Sequence, residues 1–241
     1  MKTGTLSQKI GLLVIASAML GEMSLFASTA AAQTPTPNQP LLEQRGTLQP
    51  VQQEYRFAGK KGQSVTISMV SDDFDTVLSL LDSQGKEIAT NDDYARTLNS
   101  TIVIALPGDG LYKVLARSLS GEGGNFTVTV KPATAYEQAY AHAVDLYMQG
   151  KLQEATAAYS EVIRLDPNQP IAYLDRGDVY YAQGNVKALV ADYQKAIELY
   201  KQAGDQDTVQ MLQEQLQYVQ EAPEPQSQNL SYPEPTPFIL P

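Results

Sequence analysis

Five carboxylates and an asparagine crowd the two ends of the stretch SDDFDTVLSLLDSQGKEIATNDDY, residues 71–94. Asp72, Asp73 and Asp75 stand before a short apolar run, and Asn91, Asp92 and Asp93 stand after it. The run TVLSLLDSQGKEIAT reads as strand, turn, strand, with the turn centred between Ser83 and Gln84. Both acidic groups then meet at the open end of a hairpin, with Asp75 opposite Asp92. Two chemistries suit such a cluster. Six oxygen-bearing side chains form the kind of shell that a hard cation such as Ca2+ takes. Asp and Asn also close turns by bonding backbone groups. Exposed carboxylates ~4 Å apart repel by only about 1 kcal/mol in water, so turn formation needs no cation. Arg96 is the nearest basic residue in sequence and is placed to neutralise part of the cluster.

Little else in the chain offers chemistry. Cys is absent and His142 is the single histidine, which excludes a disulfide framework, a thiolate zinc site and a Cys nucleophile. Phosphate-binding Gly-rich loops and the Gly-x-Ser-x-Gly and His-Glu-x-x-His motifs are also missing. The expectation is a protein that is not an enzyme. A net charge of −10 argues against nucleic acid as a partner.

The elements that hold these residues follow from periodicity. Between Leu42 and Lys131 apolar residues alternate with polar ones, as in Val65, Ile67, Met69 and again in Ile102, Ile104, Leu106. Gly-rich turns at 58–63, 82–85, 107–110 and 120–124 separate the runs. Short alternating strands with such turns predict an antiparallel β-sandwich. Eight strands are expected, near 44–49, 53–58, 64–70, 76–82, 86–90, 100–106, 111–118 and 125–131. After Pro132 the period becomes helical, and two segments align with a shift of 34 residues. Ala143 pairs with Gly177, Tyr147 with Tyr181, Gly150 with Gly184 and Tyr159 with Tyr193. Small residues at 143 and 177 allow close helix approach, the glycines at 150 and 184 make tight turns, and the tyrosines at 159 and 193 fill the gap between helices. An amphipathic helix over 207–220 is expected to cap the pair.

The ends read differently. Residues 1–32 carry Lys2 and Lys9, a short apolar stretch from Ile10 to Leu20, and an Ala-x-Ala site at Ala30 and Ala32, the pattern of a bacterial signal peptide. The stretch is too short to span a bilayer. The mature chain is therefore expected outside the cytoplasm, periplasmic or extracellular, without membrane insertion. Residues 33–42 read as a Pro-rich linker. Residues 221–241 hold six prolines and three glutamates and read as a disordered tail. The folded parts are then a sandwich over 43–132 and a helical domain over 133–220.

Both parts resemble known families. The 34-residue period with its small and aromatic positions resembles the tetratricopeptide repeat, TPR, over 136 to about 220. Leu189 departs from it, standing where a small residue is expected, and the second repeat lacks a closing proline. Two repeats and a cap fall short of the roughly three that such stacks need, so contact with the sandwich or self-association is expected to supply burial. The sandwich segment resembles the bacterial pre-peptidase C-terminal, PPC, domain. The residues that carry this are Gly62-Gln63, Phe74-Asp75-Thr76, Asn91-Asp92-Asp93 and Gly110-Leu111-Tyr112. That resemblance implies a secreted, non-catalytic, jelly-roll-like sandwich of a kind whose collagen-binding relatives bind calcium. The TPR resemblance implies a groove lined by the first helix of each repeat, here Tyr140, Val144, Tyr147, Leu174, Asp178 and Tyr181, holding a peptide or protein partner. The groove lacks the Lys, Arg and Asn that hold acidic tails in such repeats. Residues 133–220 carry six basic and twelve acidic residues, so a neutral or basic segment with apolar anchors is the expected ligand. The reading is of an exported interaction or scaffold protein. Two alternatives stay open, a carbohydrate- or matrix-binding module acting through the sandwich and an accessory subunit of a secreted hydrolase.

Overall fold

The computed structural model describes residues 40–48 and 52–221. The expected signal segment, residues 33–39 of the expected linker and the tail beyond Glu221 lie outside the described residues. Eight strands come first: β1 (Leu42–Leu48), β2 (Gln53–Gly59), β3 (Ser64–Val70), β4 (Thr76–Leu81), β5 (Glu87–Asn91), β6 (Ser100–Ala105), β7 (Gly110–Ser118) and β8 (Gly124–Pro132). They form two antiparallel four-stranded sheets, one ordered β1-β8-β3-β6 and the other β2-β7-β4-β5. The alternating apolar residues face inward and pack into one core with Val65, Ile67 and Met69 from one sheet and Leu78, Leu80 and Val114 from the other. The strand bounds lie within two residues of the expected ones. Leu42, expected at the end of the linker, belongs to β1 and pairs with Val130.

One register departs from expectation. The hairpin of β4 and β5 pairs Leu78 with Asn91, Ser79 with Thr90 and Leu80 with Ala89, then shifts at Leu81, which faces Glu87. Asp82 closes the turn through its carboxylate, which accepts from the Gln84 and Lys86 amides at 2.9 and 3.0 Å. The turn closes one residue later than expected and the shift between Leu80 and Leu81 adds one more, so the open end is displaced by two residues and Asp75 does not stand opposite Asp92.

Five helices follow: α1 (Ala135–Met148), α2 (Leu152–Leu165), α3 (Pro170–Ala182), α4 (Val186–Ala203) and α5 (Gln206–Glu221). Thr134 starts α1 with a capping box, in which its hydroxyl accepts from the Glu137 amide and Glu137 accepts from the Thr134 amide. Gly150 and Gly184 turn the chain inside each pair, with φ of +70° and +74°. The departure at Leu189 has a compensation across the helix pair. Gly177 leaves room that Leu189 and Tyr193 fill, and a Cβ at 177 would stand 2.9 Å from the Tyr193 ring. Where the first pair meets through Ala143 and Ala155, the second meets through a smaller and a larger residue. Helix α5 lays Val209, Leu212 and Leu216 against this second pair.

Candidate functional site

The connection between β5 and β6 leaves the edge of one sheet for the edge of the other. Its feet are fixed by side chains. Asn91 Oδ1 accepts from the Thr101 amide at 2.7 Å, Asn99 Oδ1 accepts from the Ser71 amide at 3.0 Å, and the hydroxyls of Thr76 and Ser100 meet at 2.8 Å in the interior. Its tip is the turn Tyr94-Ala95-Arg96-Thr97. Tyr94 and Thr97 form an isolated antiparallel bridge, and the Thr97 hydroxyl donates to the Tyr94 carbonyl at 2.8 Å. Both central residues are left-handed, Ala95 at φ 52° and Arg96 at φ 61°. Turns of this kind are ordinarily filled by Asn-Gly, because a Cβ is crowded at positive φ.

This tip enters the helical domain. The Arg96 side chain is 5% exposed. Its Nε donates to Asp175 Oδ1 at 2.9 Å and its Nη2 donates to Asp178 Oδ2. Tyrosines supply the remaining donors, with the Tyr140 hydroxyl donating to Asp175 Oδ2 and the Tyr193 hydroxyl to Asp178 Oδ1 at 2.7 Å. Each carboxylate oxygen of the pair thus has one donor. The Tyr94 ring lies 5.3 Å from the Tyr140 ring, and Ala95 packs into the same cluster as Val144 and Tyr147. Burial alone would lower the Arg96 pKa, but Asp178 and Asp175 more than offset it and leave it raised. Burial pushes the Asp178 carboxyl up, against the pull of Arg96 and the Tyr193 hydroxyl. Tyr140 rises well above its ordinary value, first through burial and then through the Asp175 charge.

The expected groove residues divide into three groups. Tyr140 and Asp178 hold the Arg96 turn. Leu174 is fully buried between helices and serves the core instead of a groove surface, because α3 carries it on the face that meets α4 and α5. Val144 and Tyr147 are half-buried beside the turn, and Tyr181 is 54% exposed. Asp175 was missed, although it shares a helix face with Asp178 three residues on. Arg96, expected to neutralise part of the acidic hairpin, instead bonds the helical aspartates.

The six hairpin residues do not form one shell. Asp73 turns to β8, accepting from the Asn125 amide at 2.6 Å. Asp92 accepts from the Asp93 amide, and Asn91 donates to the Asp93 carbonyl at 2.7 Å while holding Thr101. Asp72 is exposed. Asp75 and Asp93 each bury an oxygen, Oδ1, that has no hydrogen-bond partner. Burial raises both pKa values, with added repulsion from Asp92 on each and from Asp75 on Asp93. Among the described residues no three acidic or histidine side chains are grouped so as to hold a metal ion.

Comparison with known proteins follows the same division. Residues 54–118 match the model of the bacterial pre-peptidase C-terminal domain, and residues 145–184 match that of the TPR repeat. No curated protein matches the chain. Among solved structures, the pre-peptidase C-terminal domain of a collagenase from Bacillus anthracis is 14% identical, covers 37% of this chain and 88% of its own, and has a TM-score of 0.33. A tetratricopeptide repeat protein from Salinibacter ruber is 19% identical over 39% of this chain and 95% of its own, at a TM-score of 0.35. PliG from Aeromonas hydrophila, a periplasmic inhibitor of g-type lysozyme, is 17% identical over 38% and 85%, at a TM-score of 0.32.

Proposed function

We propose that this chain, a pre-peptidase C-terminal domain followed by TPR repeats, is an exported, non-catalytic interaction protein whose helical groove holds a basic, aromatic-anchored segment of a protein partner. The observation that carries the reading is Arg96 seated between Asp175 and Asp178 with Tyr94 against Tyr140. A groove built of aspartates and tyrosine hydroxyls repels an acidic tail and rewards a guanidinium, which can bond two carboxylates at once. Export rests on the residues 1–32 pattern. Among the described residues no helix is long and apolar enough to cross a membrane.

Binding of the full mature chain to arrays of basic, neutral and acidic peptides tests this reading. Basic peptides with an aromatic two residues before an arginine are expected to bind best, and deleting 133–220 to remove the signal. An array in which acidic peptides bind best overturns it.

For the acidic hairpin we propose a turn-forming role over a calcium site. Asn91, Asp73 and Asp92 already spend oxygens on backbone amides. Their bonds fix the hairpin mouth and, through Asn91, one foot of the Arg96 turn.

A further inference from the structure

The helical domain brings two carboxylates to the face of α3 that meets the sandwich, Asp175 and Asp178, and no cation of its own bonds them. The positive charge comes from the sandwich alone. Emptied of Arg96, the site would be a half-buried pair of like charges, each bonded to one tyrosine hydroxyl. Such a pair calls for a planar donor with two separated N–H groups. Nε and Nη2 of one guanidinium meet one carboxylate each, whereas the point charge of a lysine presents no such fork.

The occupant is also held at a conformational cost. Two adjacent non-glycine residues at positive φ persist only where the surroundings over-determine them. Leaving the pocket would let Ala95 and Arg96 relax to ordinary backbone. The sandwich would not have to open, because the fixed feet at Asn91, Asn99 and the Thr76–Ser100 pair lie outside the four-residue tip. Past the pocket, Tyr181 stands one turn beyond Asp178 on α3 and is exposed, offering a surface for residues that flank an incoming arginine.

We propose that Asp175, Asp178, Tyr140 and Tyr193 form an arginine-recognition pocket, that the Tyr94–Arg96 turn fills it as an internal ligand, and that a partner's aromatic-x-arginine segment enters by displacing that turn. The proposal rests on the reading of the helical domain as a partner-binding groove and adds how that groove is gated. A tethered occupant acts at millimolar-scale effective concentration, so an incoming segment binds the native chain only in proportion to the fraction of open pockets.

The test uses a fluorescein-labelled peptide with the sequence of residues 94–98, YARTL, and the full mature chain. By fluorescence anisotropy, Arg96→Ala is expected to bind the peptide at least about tenfold more tightly than the native chain, because the internal competitor is gone. The same peptide with glutamate in place of arginine should not bind. Adding Asp175→Asn and Asp178→Asn to the Arg96→Ala chain should abolish binding. Far-UV circular dichroism checks that the helices persist. A folded Arg96→Ala chain that binds no more tightly than the native one overturns the proposal, as does equal binding of the glutamate peptide.

Should Arg96→Ala lose its helices, a second variant decides. The chain has no cysteine, so Leu98→Cys, at an exposed position beside the turn, takes a single environment-sensitive dye. Saturating YARTL peptide is expected to change its emission along a binding curve, and an unchanged emission overturns displacement. A protein partner captured equally by native and Arg96→Ala chains would refute the gating and leave the proposed function standing. Tight binding of the peptide by a chain whose array shows no basic preference would do the reverse.

Discussion

At the scale of single residues, the decisive contrast lies between two groups of carboxylates. Asp175 and Asp178 have a donor for every oxygen and a shared cation, and such networks hold one geometry. Asp75 and Asp93 have a buried oxygen each without a donor and repel Asp92. Their pKa values are raised on folding, so their contribution to stability is fullest below the ordinary carboxylate value near 3.9 and fades as pH rises through the raised values. At neutral pH the cluster is therefore a cost. Asp93→Asn removes one charge and keeps the carbonyl that Asn91 bonds. It is expected to stabilise the chain by roughly 0.5–1 kcal/mol at pH 7, with the gain vanishing toward pH 3. Millimolar calcium should leave the native melting midpoint where chelator leaves it. A saturable calcium-dependent rise that Asp93→Asn abolishes would establish the cation site instead. The sequence displayed the acidic cluster plainly. It did not display the destination of Arg96, because Tyr94-Ala95-Arg96-Thr97 carries neither Asn nor Gly to announce a turn with two positive φ values.

At the scale of elements, local pattern and local structure agree closely. The strands follow the period-two runs because each has one face on the core. The helices follow the 34-residue repeat because its small and aromatic positions set how closely they approach. The hairpin register was not legible, since the shift at Leu81 depends on how Asp82 closes its turn, which hydrophobic alternation does not encode. Gly177 was legible as a close approach, while Leu189 departs from the repeat pattern for a reason that only its partner across the helix pair supplies. The two are one arrangement, and Gly177→Ala puts a methyl group against Tyr193. Tyr193 cannot retreat without loosening its bond to Asp178. The substitution is expected to cost about 1–3 kcal/mol by urea denaturation, and to weaken the Arg96 contact with it. Gly204→Ala, at a helix end with open space around it but φ +82°, is the control for backbone strain alone. Equal costs at the two positions would deny the packing argument.

At the scale of the whole molecule, the two helix pairs and closing helix of the described TPR stack gain a further contact from the sandwich. The sandwich supplies it through one turn, and Lys131 adds an ion pair to Glu137 at 2.8 Å across the domain junction. The sequence pointed to this need for burial but not to the element that meets it, because the residues that join, Arg96 with Asp175 and Asp178, are about 80 positions apart and share no pattern. If the turn is an internal ligand, the two domains are coupled through a contact made to be exchanged. Hydrogen exchange of the full chain, read by mass spectrometry with and without saturating YARTL peptide, tests this most directly. The account expects amides of residues 92–99 to exchange faster when the peptide is bound, while segments within 135–182 keep or gain protection. Bound peptide with residues 92–99 as protected as before would contradict it.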